Sequence, residues 1–207
     1  MNSFTRRLQL QGAAGAIEVL RDDPDGPAAG TAFIAHPHPL FGGTMDNKVV
    51  QTLARAFVQA GWTAVRFNFR GVGGSAGAHD AGNGEADDMR GLVAQIAPEG
   101  PIALAGFSFG AFVASRVLES LWVTREIRKV VLVGTAASRF PVSTIPPDAH
   151  DRTLVLHGEQ DDTVMLSAVM DWARPQALPV TVIPGAGHFF HGQLPLLKAL
   201  VARHLRS

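Results

Sequence analysis

Short apolar runs alternate with segments of helical periodicity along most of this 207-residue chain. Near the start, 5–11 and 16–21 alternate polar and apolar residues around Gly15, which predicts two edge strands joined by a turn. The stretch 22–27 (Asp-Asp-Pro-Asp-Gly-Pro) is a loop. After it, 31–35 is a nearly continuous apolar run, the pattern of a strand covered on both faces. Positions 47–59 place Val49, Val50, Leu53, Ala54, Phe57 and Val58 at helical spacing, and Gly61 ends the helix. A strand over 63–69 leads into the glycine-rich loop 71–77. A helix over 85–96 follows, with Met89, Leu92, Val93 and Ile96 on one face.

The second half repeats the alternation. Strands are expected over 102–105, 129–134, 153–158 and 180–183, with helices over 111–118, 164–173 and 194–205. The connection 139–151 contains proline and has no periodicity. Strands alternating with helices predict an α/β fold: a mainly parallel, doubly wound sheet with helices on both faces and right-handed crossovers. At this length one domain over 1–207 is expected. Ligands of such sheets bind beyond the carboxyl ends of the strands, so chemistry is to be sought in 36–45, 70–77, 107–110, 158–163 and 184–191.

Charge and cysteine usage narrow the functional classes. Lys+Arg and Asp+Glu are both 18, so nothing electrostatic favours nucleic acid or an acidic membrane surface. The chain has no cysteine, which excludes disulfides, a thiol nucleophile and thiolate metal sites. No apolar run reaches membrane-spanning length and no signal-like segment opens the chain, so a cytoplasmic protein is expected, as a monomer or homodimer.

Gly106-Phe107-Ser108-Phe109-Gly110 joins a strand to a helix and fits the nucleophile-elbow pattern G-x-S-x-G. The turn must be so tight that side chains at either flanking position would collide, which places glycine at 106 and 110. The same pattern occurs at Gly73-Gly74-Ser75-Ala76-Gly77, but no helix can open on the residues that follow, so Ser108 is the candidate nucleophile. A serine hydroxyl needs a base, and the base an orienting carboxylate. Asp161 lies just past the strand over 153–158, with Asp162 beside it as the alternative acid. His188 lies just past the last strand, with His191 as the alternative base, while His204 falls in the last helix and reads as a surface residue. The chain order Ser, Asp, His is that of α/β-hydrolases.

The chain resembles an α/β-hydrolase, specifically a small lidless one of the dienelactone-hydrolase-like group. The resemblance runs from about residue 30 to the end. It rests on the elbow, on His157-Gly158-x-x-Asp161-x-x-Val164, on Gly187-His188, and on Phe67-Asn68-Phe69-Arg70-Gly71-Val72-Gly73-Gly74-Ser75. It implies hydrolysis of an ester-like bond of a small-molecule acyl substrate through an acyl-enzyme on Ser108, without a cofactor, and its spacing favours Asp161 over Asp162. One oxyanion donor should be the backbone N–H of Phe109, and the second should come from the loop after the 31–35 strand. Pro37 and Pro39 have no N–H; similar hydrolases with a short loop point to Leu40, with His38 as the alternative. His38, Phe41 and Phe189 are candidate pocket residues, and Met45, Phe107, Phe109 and Phe190 lie close to the same loops in sequence.

Other readings remain. His36 and His38 could ligate a metal, though no further ligands accompany them. Gly71 to Ala76 fits a dinucleotide pattern but lacks the helix that it requires. Arg70 is expected to pair with Asp87 or Asp88. The connection 135–151 is too short for a helical cap. A non-catalytic binding protein on the same fold is the alternative function.

Overall fold

The computed structural model describes residues 5–206. Eight strands form one sheet: β1 (Thr5–Gly12), β2 (Gly15–Asp22), β3 (Thr31–Ala35), β4 (Thr63–Phe67), β5 (Ile102–Phe107), β6 (Ile127–Val133), β7 (Thr153–Gly158) and β8 (Val180–Ile183). Their spatial order is β1-β2-β4-β3-β5-β6-β7-β8. The β1–β2 and β2–β4 pairs are antiparallel and all the others parallel. The helices are α1 (Lys48–Gln59), α2 (Asn83–Ile96), α3 (Phe109–Leu121), α4 (Leu166–Ala173) and α5 (Leu194–Arg206). No helix among the described residues is long and apolar enough to cross a membrane.

Period-two alternation sends successive strand residues to opposite sides of the sheet. On β5, Ile102 and Leu104 join a core with Met89, Leu92, Phe112, Val117 and Val169, so α2, α3 and α4 cover that face. Ala103, Ala105 and Phe107 join Val49, Leu53, Phe57, Leu197 and Val201, so α1 and α5 cover the other. The doubly wound arrangement expected from the alternation of elements is present.

Boundaries shift where side chains compete for backbone groups. The strand expected over 63–69 ends at Phe67, because the Phe69 N–H donates to His36 Nε2 (2.9 Å) instead of continuing a ladder. Helix α2 begins two residues earlier than its apolar face indicates: Glu85 reaches back to accept from the N–H groups of Gly82 (2.8 Å) and Asp80 (2.9 Å). The 135–151 connection carries only part of a short 3₁₀ turn, Pro147–Arg152, and no cap domain. Arg70 forms a two-bond pair with Asp88 (2.9 Å each), while Asp87 pairs with Arg90. His204 is not a plain surface residue: its carbonyl accepts from Lys129 Nζ and its ring contacts the Arg152 carbonyl, tying α5 to the sheet.

Candidate active site

The elbow between β5 and α3 holds Ser108 at φ 57°, ψ −116°, a left-handed conformation that costs a non-glycine residue of the order of 1–3 kcal/mol. The surroundings enforce it. The Ser108 N–H donates to the Val133 carbonyl (2.8 Å), and the Ser108 carbonyl accepts from Ala111 (3.0 Å). A Cβ at Gly106 would lie 2.1 Å from the Gly110 carbonyl oxygen, and one at Gly110 would lie 2.3 Å from the Ala35 oxygen. Both glycines are therefore required by close backbone approach, as the sequence pattern implies.

Three side chains from three strand ends meet there. Ser108 Oγ lies 3.1 Å from His188 Nε2, and His188 Nδ1 lies 2.7 Å from Asp161 Oδ2. Asp161 Oδ1 accepts from the N–H groups of Val164 (2.8 Å) and Thr163 (3.0 Å), which fixes the carboxylate. Burial works to raise the Asp161 pKa, but hydrogen bonds from His188 and Val164, with the His188 and His157 rings close by, outweigh it and hold the group below its ordinary value. Nδ1 facing a carboxylate carries the ring proton, leaving Nε2 to accept from Ser108. Gly158 makes room for the backbone of the loop that carries His188, and Gly134 for its imidazole. A Cβ at Gly158 would meet the Ala186 oxygen at 2.3 Å, and one at Gly134 (φ 55°) would stand 3.2 Å from His188 Cε1. Asp162 is exposed and bonded only to Thr163, and His191 is exposed against Phe189, so neither alternative reaches the constellation.

His157, at the head of the His157-Gly158-x-x-Asp161-x-x-Val164 stretch, braces the acid. It is fully buried, with Nε2 2.8 Å from the Val164 carbonyl and 3.4 Å from Asp161 Oδ2. This clips the turn that carries Asp161. Burial depresses the His157 pKa, so the ring is neutral.

The Ser108 hydroxyl faces a cleft of about 310 Å³. Its walls include Pro37, His38, Phe41, Phe109, Phe140 and Phe189, with Asn47 and Thr163 among the polar residues. His38, Phe41 and Phe189 thus line it as expected, and Phe41 and Phe189 form an exposed rim. Met45, Phe107 and Phe190 are instead core residues. Phe140 and Arg139 come from the aperiodic connection, where no sequence signal marks them. A second cleft of about 330 Å³ lies beside α1, lined by Asp22, Arg55 and Arg66, and is remote from the serine. Arg66 is held there by Asp22 (3.1 Å) and the Met45 carbonyl (3.1 Å).

The loop after β3 gives the Leu40 N–H a partner within its own turn. The Leu40 N–H donates to His38 Nδ1 (3.2 Å), capping the 3₁₀ turn Pro39–Phe41, and its side chain is exposed outside the cleft. Leu40 is therefore committed to its own turn. The His38 N–H has no partner among the described residues. Phe109 opens α3, so its N–H precedes the helical hydrogen-bond ladder. His36 is fully buried, donates from Nδ1 to the Pro37 carbonyl (2.6 Å) and accepts at Nε2 from Phe69. Both its nitrogens are occupied, so His36 and His38 do not chelate together. Among the described residues no three His, Asp or Glu side chains gather as a metal site. The glycine-rich loop after β4 runs on to Gly82 before α2 begins, so no helix N-terminus stands where a pyrophosphate would need one.

Residues 40–146 match the family model Hydrolase_4, described as serine aminopeptidase, S33. An uncharacterized protein of Rickettsia prowazekii is 31% identical over 204 residues, covering 89% of this chain and 82% of that one. A lidless α/β serine hydrolase from Xanthomonas campestris is 35% identical with a TM-score of 0.87, over 100% of this chain and 95% of that chain. An α/β serine hydrolase homologue from Coxiella burnetii is 37% identical with a TM-score of 0.83, over 97% of each chain.

Proposed function

From the chain's membership of the Hydrolase_4 family of α/β serine hydrolases, we infer that it cleaves an ester-like bond, a carboxylester or thioester of a small to medium acyl group, through an acyl-enzyme on Ser108. The observation that carries this reading is the unbroken relay Ser108–His188–Asp161 opening on a largely apolar cleft. His188 Nε2 takes the Ser108 proton as Oγ attacks the acyl carbonyl. Asp161 holds the imidazole and stabilises its charged form. The backbone N–H groups of Phe109 and His38 receive the oxyanion, each such donor contributing roughly 3 kcal/mol to lowering the barrier. His188 then protonates the departing alcohol or thiol as its bond to the acyl carbon breaks. Water, deprotonated by the same ring, attacks the acyl carbon; the ring returns the proton to Ser108 Oγ as the acyl C–O bond breaks and the acid leaves.

The cleft also bears on ester against peptide substrates. An aminopeptidase must hold a free α-ammonium, and among the described residues no Asp or Glu lines the cleft. Esters are therefore favoured over amino-acid amides. The test is a fluorophosphonate probe, with hydrolysis of short p-nitrophenyl esters compared with amino-acid p-nitroanilides. Labelling of the wild type but not of Ser108→Ala, with ester turnover exceeding anilide turnover, supports the reading. An unlabelled wild type that turns over neither substrate would instead fit a binding protein on this fold.

A further inference from the structure

Among the described residues, and apart from imidazoles, the cleft has one ionisable side chain in its wall, Arg139. Its backbone is fixed. The N–H groups of Arg139 and Phe140 both donate to the Ala136 carbonyl (3.1 Å each). Phe140 stacks on Phe112 (4.9 Å, 14°) and lies 5.0 Å from Phe109, so the turn is pinned to the elbow helix. The root of Arg139 therefore cannot drift from the nucleophile, although its side chain reaches into solvent.

The other arginines of the loops and strands are engaged. Arg66 and Arg70 sit in ion pairs with Asp22 and Asp88, and Arg128 pairs with Glu126. Arg125 donates to the Ala97 carbonyl. The Arg139 side chain makes no hydrogen bond, ion pair or ring contact among the described residues. Its charge is nonetheless felt in the cleft: the His38 pKa is lowered by burial first, then by His79; Glu85 opposes the depression and Arg139 adds to it. His38 is thus neutral and does not compete for an anion. A guanidinium presents a planar fork of donors that matches a carboxylate with two parallel bonds. Beside an apolar cleft without a carboxylate, that fork is unfilled.

We propose that Arg139 is a specificity subsite for a substrate carrying a free carboxylate away from the scissile carbonyl. The proposal rests on the acyl-enzyme reading above and adds the substrate class. The apolar walls take the hydrocarbon spacer while Arg139 takes the charge at the cleft edge.

The test compares the wild type with Arg139→Ala, Arg139→Lys and Arg139→Glu on two matched ester pairs. In the first the charge is on the acyl part: mono-p-nitrophenyl suberate against p-nitrophenyl octanoate. In the second it is on the alcohol part: 4-carboxyphenyl octanoate against 4-acetylphenyl octanoate. The readout is the charged-to-neutral ratio of kcat/KM, in which the intrinsic reactivity of each ester cancels between variants. In one pair the ratio should fall about three- to fivefold in Arg139→Ala, as for a solvent-accessible ion pair, and further in Arg139→Glu. Arg139→Lys should retain part of it. The pair that responds tells which side of the ester carries the charge. A ratio that stays constant in both pairs, with the neutral esters still turned over, overturns the subsite alone. Failure of the wild type to turn over any of the four esters, or turnover surviving in Ser108→Ala, overturns the acyl-enzyme reading and the subsite with it.

Discussion

Two stretches of this chain share the pattern G-x-S-x-G, and they use it for opposite ends. At 106–110 the glycines are needed because backbone from β3 and α3 passes within van der Waals distance, and the serine between them is forced to φ 57°. At 73–77 the glycines are needed for their own backbone, with φ of 54° at Gly73 and 84° at Gly77, and no helix follows. Among the described residues Ser108 Oγ has one hydrogen-bond partner, His188 Nε2, and the residue lines the cleft. Ser75 Oγ donates to the Asn68 carbonyl (2.7 Å) and accepts from the Glu18 N–H (2.9 Å), so its hydroxyl is spent on joining β2 to the loop after β4. Both residues are nearly buried, so burial does not separate them. The free lone pair and the adjacent base do.

The comparison breaks most sharply at the hydroxyls. Ser108→Ala should abolish fluorophosphonate labelling and lower ester kcat by about 10⁴-fold or more, since triad members act as a unit. Labelling that persists in this variant, or that moves to Ser75, would undo the assignment.

The glycines come next. Gly110→Ala places a Cβ against a backbone oxygen that cannot yield, and should cost about 3 kcal/mol or more by urea unfolding. Gly73→Ala meets only the side-chain ends of Asn68 and Glu18, and should cost about 1–2 kcal/mol, mainly for its positive φ. Equal losses would mean that close approach is not what sets 106–110 apart.

His36 joins the two regions, gripping Pro37 on the cleft loop and Phe69 at the root of the Ser75 loop. Burial lowers its pKa to about 4, partly opposed by its bond to Pro37. The unfolded chain, with an ordinary imidazole, therefore binds more protons between about pH 4 and 6.5. The stabilisation from neutral His36 is complete above that window and is lost as pH falls through it. Unfolding free energy should drop by about 2 kcal/mol from this group between pH 7.5 and 5. The drop should shrink in His36→Gln, measured by urea titration at both pH values.

The smallest effect is expected at the second serine. Ser75→Ala should leave probe labelling intact and cost about 1 kcal/mol of stability, with two hydrogen bonds removed and the Glu18 N–H left near the surface. A large loss of turnover in this variant would show that the β2 junction supports the site.

Most of the architecture was legible because periodicity reports burial. Runs such as 31–35 and 153–158 are covered on both faces and read as strands, and α1 carries its apolar stripe openly. The missed boundaries share one cause: a side chain took over a backbone partner, as His36 did at Phe69 and Glu85 at Gly82. Within the site, Ser108, His188 and Asp161 could be named because each sits at a strand end in a distinctive local setting. Which N–H of the loop after β3 is open could not be read, because whether that of Leu40 is free depends on the His38 side-chain rotamer, which no spacing encodes. Arg139 and Phe140 were invisible for a related reason: they lie in an aperiodic connection and reach the cleft only because Phe140 packs on Phe112.

The sequence by itself determined the order of strands and helices, the elbow, and which residue types could carry acyl transfer, since these follow from local periodicity and steric need. Only the tertiary structure decided which serine has a base, which N–H groups are unspent and which cation borders the cleft. Those outcomes depend on contacts between residues such as Ser108 and His188, 80 positions apart in the chain, whose meeting is fixed by the packing of whole elements.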